Sequence, residues 1–326
     1  MSQGNVVSVS VSHKLLALAG NTFGRNRLNI LIYHQVFAER DTMRPSEPTA
    51  AEFDWQMKLI GEYYTPLSLD EALKGLDSNS LPNNAICVTF DDGYLNNLTV
   101  AEPILAKYNI PATGYVATAF SDGVNMFNDR ILDLIEDEKF SDFDLTSVEL
   151  GRVEVSDSAS RIALAHRLIG KLKYLHFDDR MTRVDQIYQD NNASEYPARM
   201  MSVKDIKSLA ETGVEIGAHT RDHPILRTLT LDAQQQQLMD AKQTLENIVN
   251  EPIKHFAYPN GKLNDDYSTE TVELVKSVGF ASAVSTHWGV SDSTSDQYQL
   301  KRFTPWDSSE LKFHLRLRLN QLGFIQ

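Results

Sequence analysis

The chain has 326 residues, of which 42% are hydrophobic and 23% are charged, a composition that supports a sizeable buried core and excludes a fibrous or disordered protein. Its formal net charge is −13, from 31 basic and 44 acidic residues. A protein with this negative charge repels phosphate backbones and anionic membrane surfaces. We therefore expect no nucleic-acid partner.

Cys87 is the single cysteine, which excludes an internal disulfide, and its apolar neighbours predict a buried structural thiol. The sequence has no run of about 18 apolar residues, so no transmembrane segment is expected. The short apolar stretch at residues 15–19 follows Lys14 and several serines, a pattern that does not fit a secretory signal peptide. We therefore expect a cytoplasmic protein and leave a periplasmic location open. The sequence gives no indication of the oligomeric state.

The predicted elements follow an N-terminal arm, residues 1–28. Apolar runs predict three buried strands at residues 29–33, 85–90 and 112–117. Helical spacing of apolar side chains predicts helices between them, at residues 50–62 and 99–108. Strands that alternate with helices indicate βαβ units and a parallel sheet.

Residues 120–199 interrupt this alternation and predict a mostly helical insertion, with helical stretches at 129–139, 158–175 and 178–190. The alternation then resumes, with helices predicted at residues 203–212, 231–249 and 268–278 and strands at 214–218, 255–258, 280–284 and 300–303. About seven strand–helix units suit either a barrel or an open sheet. We expect one α/β domain over residues 29–326, with the insertion beside it.

Two adjacent carboxylates, Asp91 and Asp92, follow the predicted strand 85–90. Active sites of barrels collect at the carboxyl ends of the strands. Neighbouring side chains on a strand point in opposite directions, so the two can share a site only if the backbone departs from strand geometry, which Gly93 permits. The alternative interpretation is a cap on the helix that follows.

Two histidines, His219 and His223, stand four residues apart just past the predicted strand 214–218. Neutral imidazole is the commonest protein metal ligand, and two histidines with one carboxylate form a known catalytic zinc set that leaves a position for water. Two surface loop histidines are the alternative, but the paired aspartates favour a metal site. Zinc, cobalt or nickel would suit these ligands.

A third segment, residues 256–261, contains Pro259 and Gly261 two positions apart. This spacing predicts a tight turn. Such a turn can aim a backbone N–H into a cleft, or it can be no more than a turn.

In this order the three segments resemble the motifs of the polysaccharide deacetylase family, also called the NodB-homology domain or carbohydrate esterase family 4. The resemblance covers roughly residues 28–119 and 200–305. It implies a distorted (β/α) barrel of about seven strands. It also implies that Asp91 is the general base, that Asp92, His219 and His223 bind a divalent metal, usually zinc, and that the backbone N–H of Tyr258 faces the oxyanion.

The sequence departs from the common family pattern in two places. Phe256 and Asn260 stand where the third motif has arginine and tyrosine, and the late Leu-His-Asp motif that supplies the general acid is absent. An apolar strand followed by His34 resembles the circularly arranged poly-N-acetylglucosamine deacetylase-like members, which implies that His34 is the acid. His287 is the competing candidate. Arg302 is a candidate to orient Asp91 in place of the missing arginine, and a surface or structural arginine is the alternative.

The resemblance implies a metal-dependent hydrolase that removes N-acetyl groups from an acetylated polysaccharide or oligosaccharide, such as an N-acetylglucosamine polymer or an exopolysaccharide. It would act on carbon–nitrogen but not peptide bonds. Two alternatives are a cyclic amide or imide hydrolase on the same fold and a non-catalytic carbohydrate-binding protein. The polymer, N- versus O-deacetylation and the role of the insertion stay open. Three tryptophans could stack on sugars or pack in the core or rim: Trp55, Trp288 and Trp306.

Overall fold

The computed structural model describes residues 12–18 and 24–324. These residues form a seven-stranded sheet, a separate two-stranded hairpin and the helices around them. The strands are β1 (Asn29–Tyr33), β2 (Thr65–Pro66), β3 (Ala85–Phe90), β4 (Ala112–Val116), β5 (Asp142–Leu145), β6 (Gly151–Glu154), β7 (Glu215–Ala218), β8 (His255–Ala257) and β9 (Ser282–Val284). The helices are α1 (residues 12–18), α2 (Ala50–Tyr63), α3 (Leu69–Asp77), α4 (Glu102–Tyr108), α5 (Phe127–Glu136), α6 (Ser158–Leu172), α7 (Phe177–Asp190), α8 (Val203–Glu211), α9 (Leu231–Val249), α10 (Thr269–Ser277) and α11 (Glu310–Leu322).

The large sheet is parallel throughout and has the order β1-β3-β4-β7-β8-β9, with β2 paired to the start of β3. Residues 300–303, predicted as a strand, form single parallel bridges instead, from Leu300 to Val284 and from Phe303 to Leu31. These bridges connect β9 to β1 and so link the two ends of the curled sheet. The prediction of a distorted (β/α) barrel is confirmed.

Side chains along each strand point alternately to the two faces of the sheet, and both faces are covered by buried hydrophobic residues. Leu31, Val88 and Phe90 pack outward against α2, where Phe53 and Met57 are fully buried. Cys87 points to the other face, in a cluster that includes residues of β1, β4, β8 and β9, and it is the buried free thiol that the sequence predicted. Helix α2 begins at a reciprocal cap, in which the Thr49 side chain accepts the Glu52 N–H and the Glu52 carboxylate accepts the Thr49 N–H.

The insertion contains the three predicted helices, as α5, α6 and α7, around a hydrophobic cluster of its own. It also contains the antiparallel hairpin β5–β6, which the sequence analysis did not predict. Buried ion pairs join the insertion to the barrel: Arg44 contacts Asp129 and Asp133, both on α5, at 2.8 Å.

Most of the predicted N-terminal arm, residues 1–11 and 19–23, lies outside the described residues. Its described part, α1, packs on the barrel, because the buried His13 ring stacks on His314 of α11 at 5.0 Å between ring centroids and on Tyr63 at 5.6 Å. Among the described helices, none combines the length and the hydropathy that a membrane span requires.

Candidate active site

Asp91 lies directly past the end of β3, where its backbone N–H still donates to the Tyr33 carbonyl at 2.9 Å. Its two carboxylate oxygens accept hydrogen bonds from Nη1 and Nη2 of Arg302, both at 2.7 Å. Both side chains are buried, and Arg302 also donates from Nε to the Ser285 carbonyl at 2.9 Å. Burial alone would raise the pKa of Asp91, but the Arg302 guanidinium, together with His219 and His34, outweighs it and holds that pKa below its ordinary value.

Asp92 leaves the strand conformation. Its φ is 74° and that of Gly93 is 91°, so both residues adopt the left-handed region, and Asp92 does so without being glycine. This turn is the departure from strand geometry that two adjacent aspartates need to share a site. It brings Oδ1 of Asp92 to 3.4 Å from Nε2 of His219 and to 3.4 Å from Nε2 of His223.

His219 follows β7, and its Nδ1 lies 2.7 Å from the Ala257 carbonyl oxygen. Because a carbonyl only accepts, Nδ1 carries a proton, and Nε2 is the ring nitrogen left to bind a metal. The loop that returns to His223 is strained, with φ of 64° at Thr220 and 50° at His223. Oγ1 of Thr220 accepts the His223 N–H at 3.1 Å and so fixes the turn.

Three electron-rich atoms therefore converge, and Asp92 Oδ1 is buried without a hydrogen-bond partner among the described residues. Burial lowers the pKa of His223 to about 4, which keeps its imidazole neutral near pH 7. For Asp92, the neighbouring histidines outweigh burial and hold the pKa far below the ordinary range. Two histidine imidazoles and one carboxylate fit a divalent metal ion.

A second acid–histidine group, Asp70, Glu215 and His255, lies at the opposite end of the sheet, where β7 and β8 begin. Its carboxylates have partners. Glu215 accepts the Leu69 N–H at 3.0 Å at the start of α3, and Asp70 is paired with the Lys254 ammonium. These contacts hold the start of α3 to the sheet.

His34 is the first residue after β1, and Asn97 fixes its backbone carbonyl with a 2.8 Å hydrogen bond. Burial alone would lower the pKa of His34, but the negative charges of Asp92, Glu47 and Asp91 outweigh it and raise that pKa. The imidazole therefore stays protonated to higher pH than an ordinary histidine. Sequence reasoning missed Glu47, because no local pattern indicates that its loop returns to β1, where Oε2 accepts the Gln35 N–H at 3.2 Å.

His287 is exposed, and its backbone carbonyl accepts the Arg302 N–H at 3.0 Å. Its Nε2 accepts the Leu263 N–H at 3.1 Å, so this nitrogen carries no proton to donate in the observed arrangement. The geometry favours His34 over His287 as the candidate acid.

The structure corrects the prediction for Tyr258. Its backbone N–H donates to the Val284 carbonyl at 3.2 Å, because pairing of β8 with β9 continues one residue past the strand end. Its ring is buried and stacks on Tyr267 at 3.9 Å, so no part of the residue is free to face an oxyanion. The next residue with a backbone N–H is Asn260, which has a left-handed φ of 59°. Its N–H donates to no acceptor in the described part of the chain.

Comparison with known proteins gives the family. The sequence model for polysaccharide deacetylase matches residues 78–141 and 186–283. YxkH of Bacillus subtilis (strain 168), named as a polysaccharide deacetylase, is 23% identical over 277 residues, which cover 85% of this chain and 70% of YxkH. The poly-beta-1,6-N-acetyl-D-glucosamine N-deacetylase of Staphylococcus epidermidis is 24% identical over 159 residues, 46% of this chain and about half (53%) of the relative.

Solved structures show the same fold. The deacetylase PplD of Streptococcus pyogenes, determined in complex with acetate, has a TM-score of 0.61 at 20% identity, covering 90% of this chain and 98% of PplD. IcaB from Ammonifex degensii has a TM-score of 0.56 at 17% identity, covering 91% of this chain and 97% of IcaB. With the motifs in order, the barrel and these matches, the chain belongs to the polysaccharide deacetylase family.

Proposed function

We propose that this protein is a metal-dependent deacetylase that removes N-acetyl groups from a polymer containing N-acetylglucosamine. The observation that carries the proposal is the convergence of Asp92, His219 and His223 on one point beside the Asp91–Arg302 pair. The name of the Staphylococcus epidermidis relative supports N-acetylglucosamine as the sugar.

Asp92, His219 and His223 would hold the metal ion. A divalent ion bound there would polarise the acetyl carbonyl and lower the pKa of a coordinated water towards ~7. The Ala257 carbonyl that fixes the His219 tautomer orients this ligand.

Asp91 acts as the general base. Its carboxylate has a lowered pKa, so it is ionised and ready to take a proton from the attacking water. Arg302 holds both oxygens, which fixes the direction from which the carboxylate approaches. Oδ2 of Asp91 lies 4.0 Å from Nε2 of His219, so the base borders the ligand cluster.

His34 acts as the general acid. An amine is a poor leaving group unless it is protonated, so breaking the carbon–nitrogen bond needs a proton donor, whereas an ester needs one less. The surrounding carboxylates favour the protonated imidazole of His34. This donor supports amide over ester hydrolysis.

The backbone N–H of Asn260 takes the role of oxyanion donor that the sequence assigned to Tyr258. A preorganised N–H aimed at the developing negative charge lowers the barrier of acyl transfer. Asn260 directly follows Pro259, and its N–H forms no hydrogen bond within the sheet.

The experiment is acetate release from N-acetylglucosamine oligomers by the Asp91→Asn protein. We expect the rate to fall roughly 10²- to 10⁴-fold, the usual contribution of a general base, while the metal content stays at the wild-type level. Asp77→Asn is the matched control, because Asp77 is exposed at the end of α3 that precedes β3, away from the site. Wild-type rates in the Asp91→Asn protein would show that the assignment of the base is wrong.

A further inference from the structure

We propose that the sugar polymer extends from the candidate active site across Trp306, and that this indole and the cavity beside it form a binding subsite for the pyranose unit next to the one that loses its acetyl group. The inference rests on the proposed function, which it deepens by giving the enzyme a preference for chains over single sugars.

Trp306 is displayed to solvent although it is a large apolar residue. Its side chain is 55% exposed. Its ring is supported by Trp288, with 4.8 Å between the ring centroids, and by the Arg316 guanidinium 5.4 Å from the ring centroid. Arg316 is itself fixed by Asp307, through a 2.9 Å ion pair. The indole is therefore held in place by its neighbours while much of its surface is left open, as a stacking surface requires.

A cavity of about 130 Å³ lies beside this ring, between the loop before α2 and the loop before α11. It is smaller than the 300–1,000 Å³ pockets that enclose a whole drug-sized ligand, so it suits one edge of a sugar ring and not an entire oligosaccharide. Its polar wall includes Arg40, Ser46, Glu47 and Ser308. These side chains offer both donors and acceptors.

Glu47 connects the cavity to the candidate active site. Glu47 lines the cavity, and its Oε2 accepts the N–H of Gln35, the residue after His34, at 3.2 Å. A chain that occupies the cavity therefore borders the candidate acid.

The charges around the cavity favour a neutral or cationic sugar. Arg40 is paired with Glu52, and Asp307 with Arg316. Glu47 forms no ion pair among the described residues, and its Oε1 accepts no hydrogen bond there. A carboxylate oxygen with free acceptor capacity can bind the hydroxyl groups of a pyranose, whereas it repels an anionic ligand. A flat apolar ring beside such acceptors and donors matches a pyranose, which has a C–H face and a hydroxyl-bearing edge.

The kinetic test compares the N-acetylglucosamine monomer with its β-1,6-linked pentamer. Trp306→Ala is expected to lower the ratio of kcat/KM for the pentamer to that for the monomer about tenfold, the effect of losing one aromatic contact. Trp306→Phe should retain most of the ratio. Trp55→Phe is the control, because Trp55 is not among the residues that line the cavity and packs edge-on against Phe313, with 5.4 Å between the ring centroids. A ratio that Trp306→Ala leaves unchanged would overturn the proposal.

A binding test separates the subsite from the reaction. The pentamer is titrated into the Asp91→Asn protein, and acrylamide quenching of tryptophan fluorescence is followed. We expect the pentamer to protect the exposed Trp306, with no protection in the Asp91→Asn, Trp306→Phe double variant. If the wild-type protein releases no acetate but protection is seen, the subsite stands and the proposed reaction falls. If acetate is released without any protection, the reaction stands and the subsite falls.

Discussion

Arg302 and Asp91 are 211 positions apart in the sequence, yet they form two hydrogen bonds of 2.7 Å. The contact exists because residues 300–303 bridge β9 to β1 and so deliver the guanidinium to the end of β3. The sequence suggested Arg302 as a partner, but a surface arginine fitted its local pattern equally well. Only the closure of the barrel distinguishes the two.

Replacing Arg302 tests the base directly. In Arg302→Met, the largest influence that offsets the burial of Asp91 is lost, so the pKa of Asp91 rises. Because the base must be ionised, activity is lost as pH falls through this pKa, and the acid limb of the kcat/KM profile should move to higher pH. An unpaired buried charge should also cost about 3–5 kcal/mol of unfolding free energy. Arg302→Lys retains a positive charge and should shift the limb less. An acid limb that stays in place would contradict the assignment.

The structure brings four predicted site residues together at one edge of the sheet, as their spacing after predicted strands implied: Asp91, Asp92, His219 and His223. The oxyanion role of Tyr258, which the family resemblance implied, does not fit the structure. Spacing shows where a turn begins but not how far strand pairing continues, and here one more sheet hydrogen bond occupies the N–H.

At the scale of elements, α1 and α11 meet through a pair of histidines. Nδ1 of His13 lies 2.8 Å from Nδ1 of His314, so one ring donates and the other accepts. Nε2 of His314 lies 3.4 Å from Nη2 of Arg318. Burial, and then the charges of Arg318 and His13, lower the pKa of His314 to about 3. Neither helix was predicted, since α1 is short and the apolar spacing of α11 is weak.

This contact should make the protein sensitive to acid. The folded-state pKa of His314 lies below the ordinary value of 6.5. Below pH 6.5 the unfolded chain therefore takes up a proton that the folded chain does not, and stability falls as pH decreases, by at most about 1.4 kcal/mol per pH unit. Urea unfolding at pH 7 and pH 5 measures this loss. His314→Gln should reduce the difference between the two pH values, and an equal difference in both proteins would refute the explanation.

For the other helices and strands, the accuracy of the prediction depended on how long and regular the pattern of apolar residues is. Helix α9 has the predicted bounds, residues 231–249, because its apolar residues repeat over several turns and Thr230 caps it. The hairpin β5–β6 was missed because each strand has only four residues: β5 alternates between aspartate and an apolar residue, but so short a pattern stands out weakly among the helices of the insertion.

At the scale of the whole molecule, the insertion and the barrel share buried charges. Arg44 contacts Asp129 and Asp133, and Tyr94, next to the aspartate pair, donates to Asp129 at 2.8 Å. Arg199, the last residue of the insertion, also donates to Asp133, at 2.7 Å. Since isolating any of these buried charges is costly, we expect one cooperative unit over residues 29–326.

Two probes test this unit. All three tryptophans lie outside residues 120–199, so their fluorescence reports on the barrel alone, whereas far-UV circular dichroism also reports on α5, α6 and α7. The two urea unfolding curves should coincide. Arg44→Met, which leaves Asp129 and Asp133 without this partner, should separate them. Two transitions in the wild-type protein would instead indicate an insertion that unfolds independently.

The measurement that tests the central claim most directly is the metal content of the purified protein, combined with acetate release from an N-acetylglucosamine pentamer before and after chelation. The site of Asp92, His219 and His223 predicts about one divalent ion per chain. Chelation should abolish acetate release, and added zinc should restore it. His219→Ala should lose both the ion and the activity. A protein that binds no metal after incubation with zinc, or one that releases acetate equally well after chelation, would contradict the account.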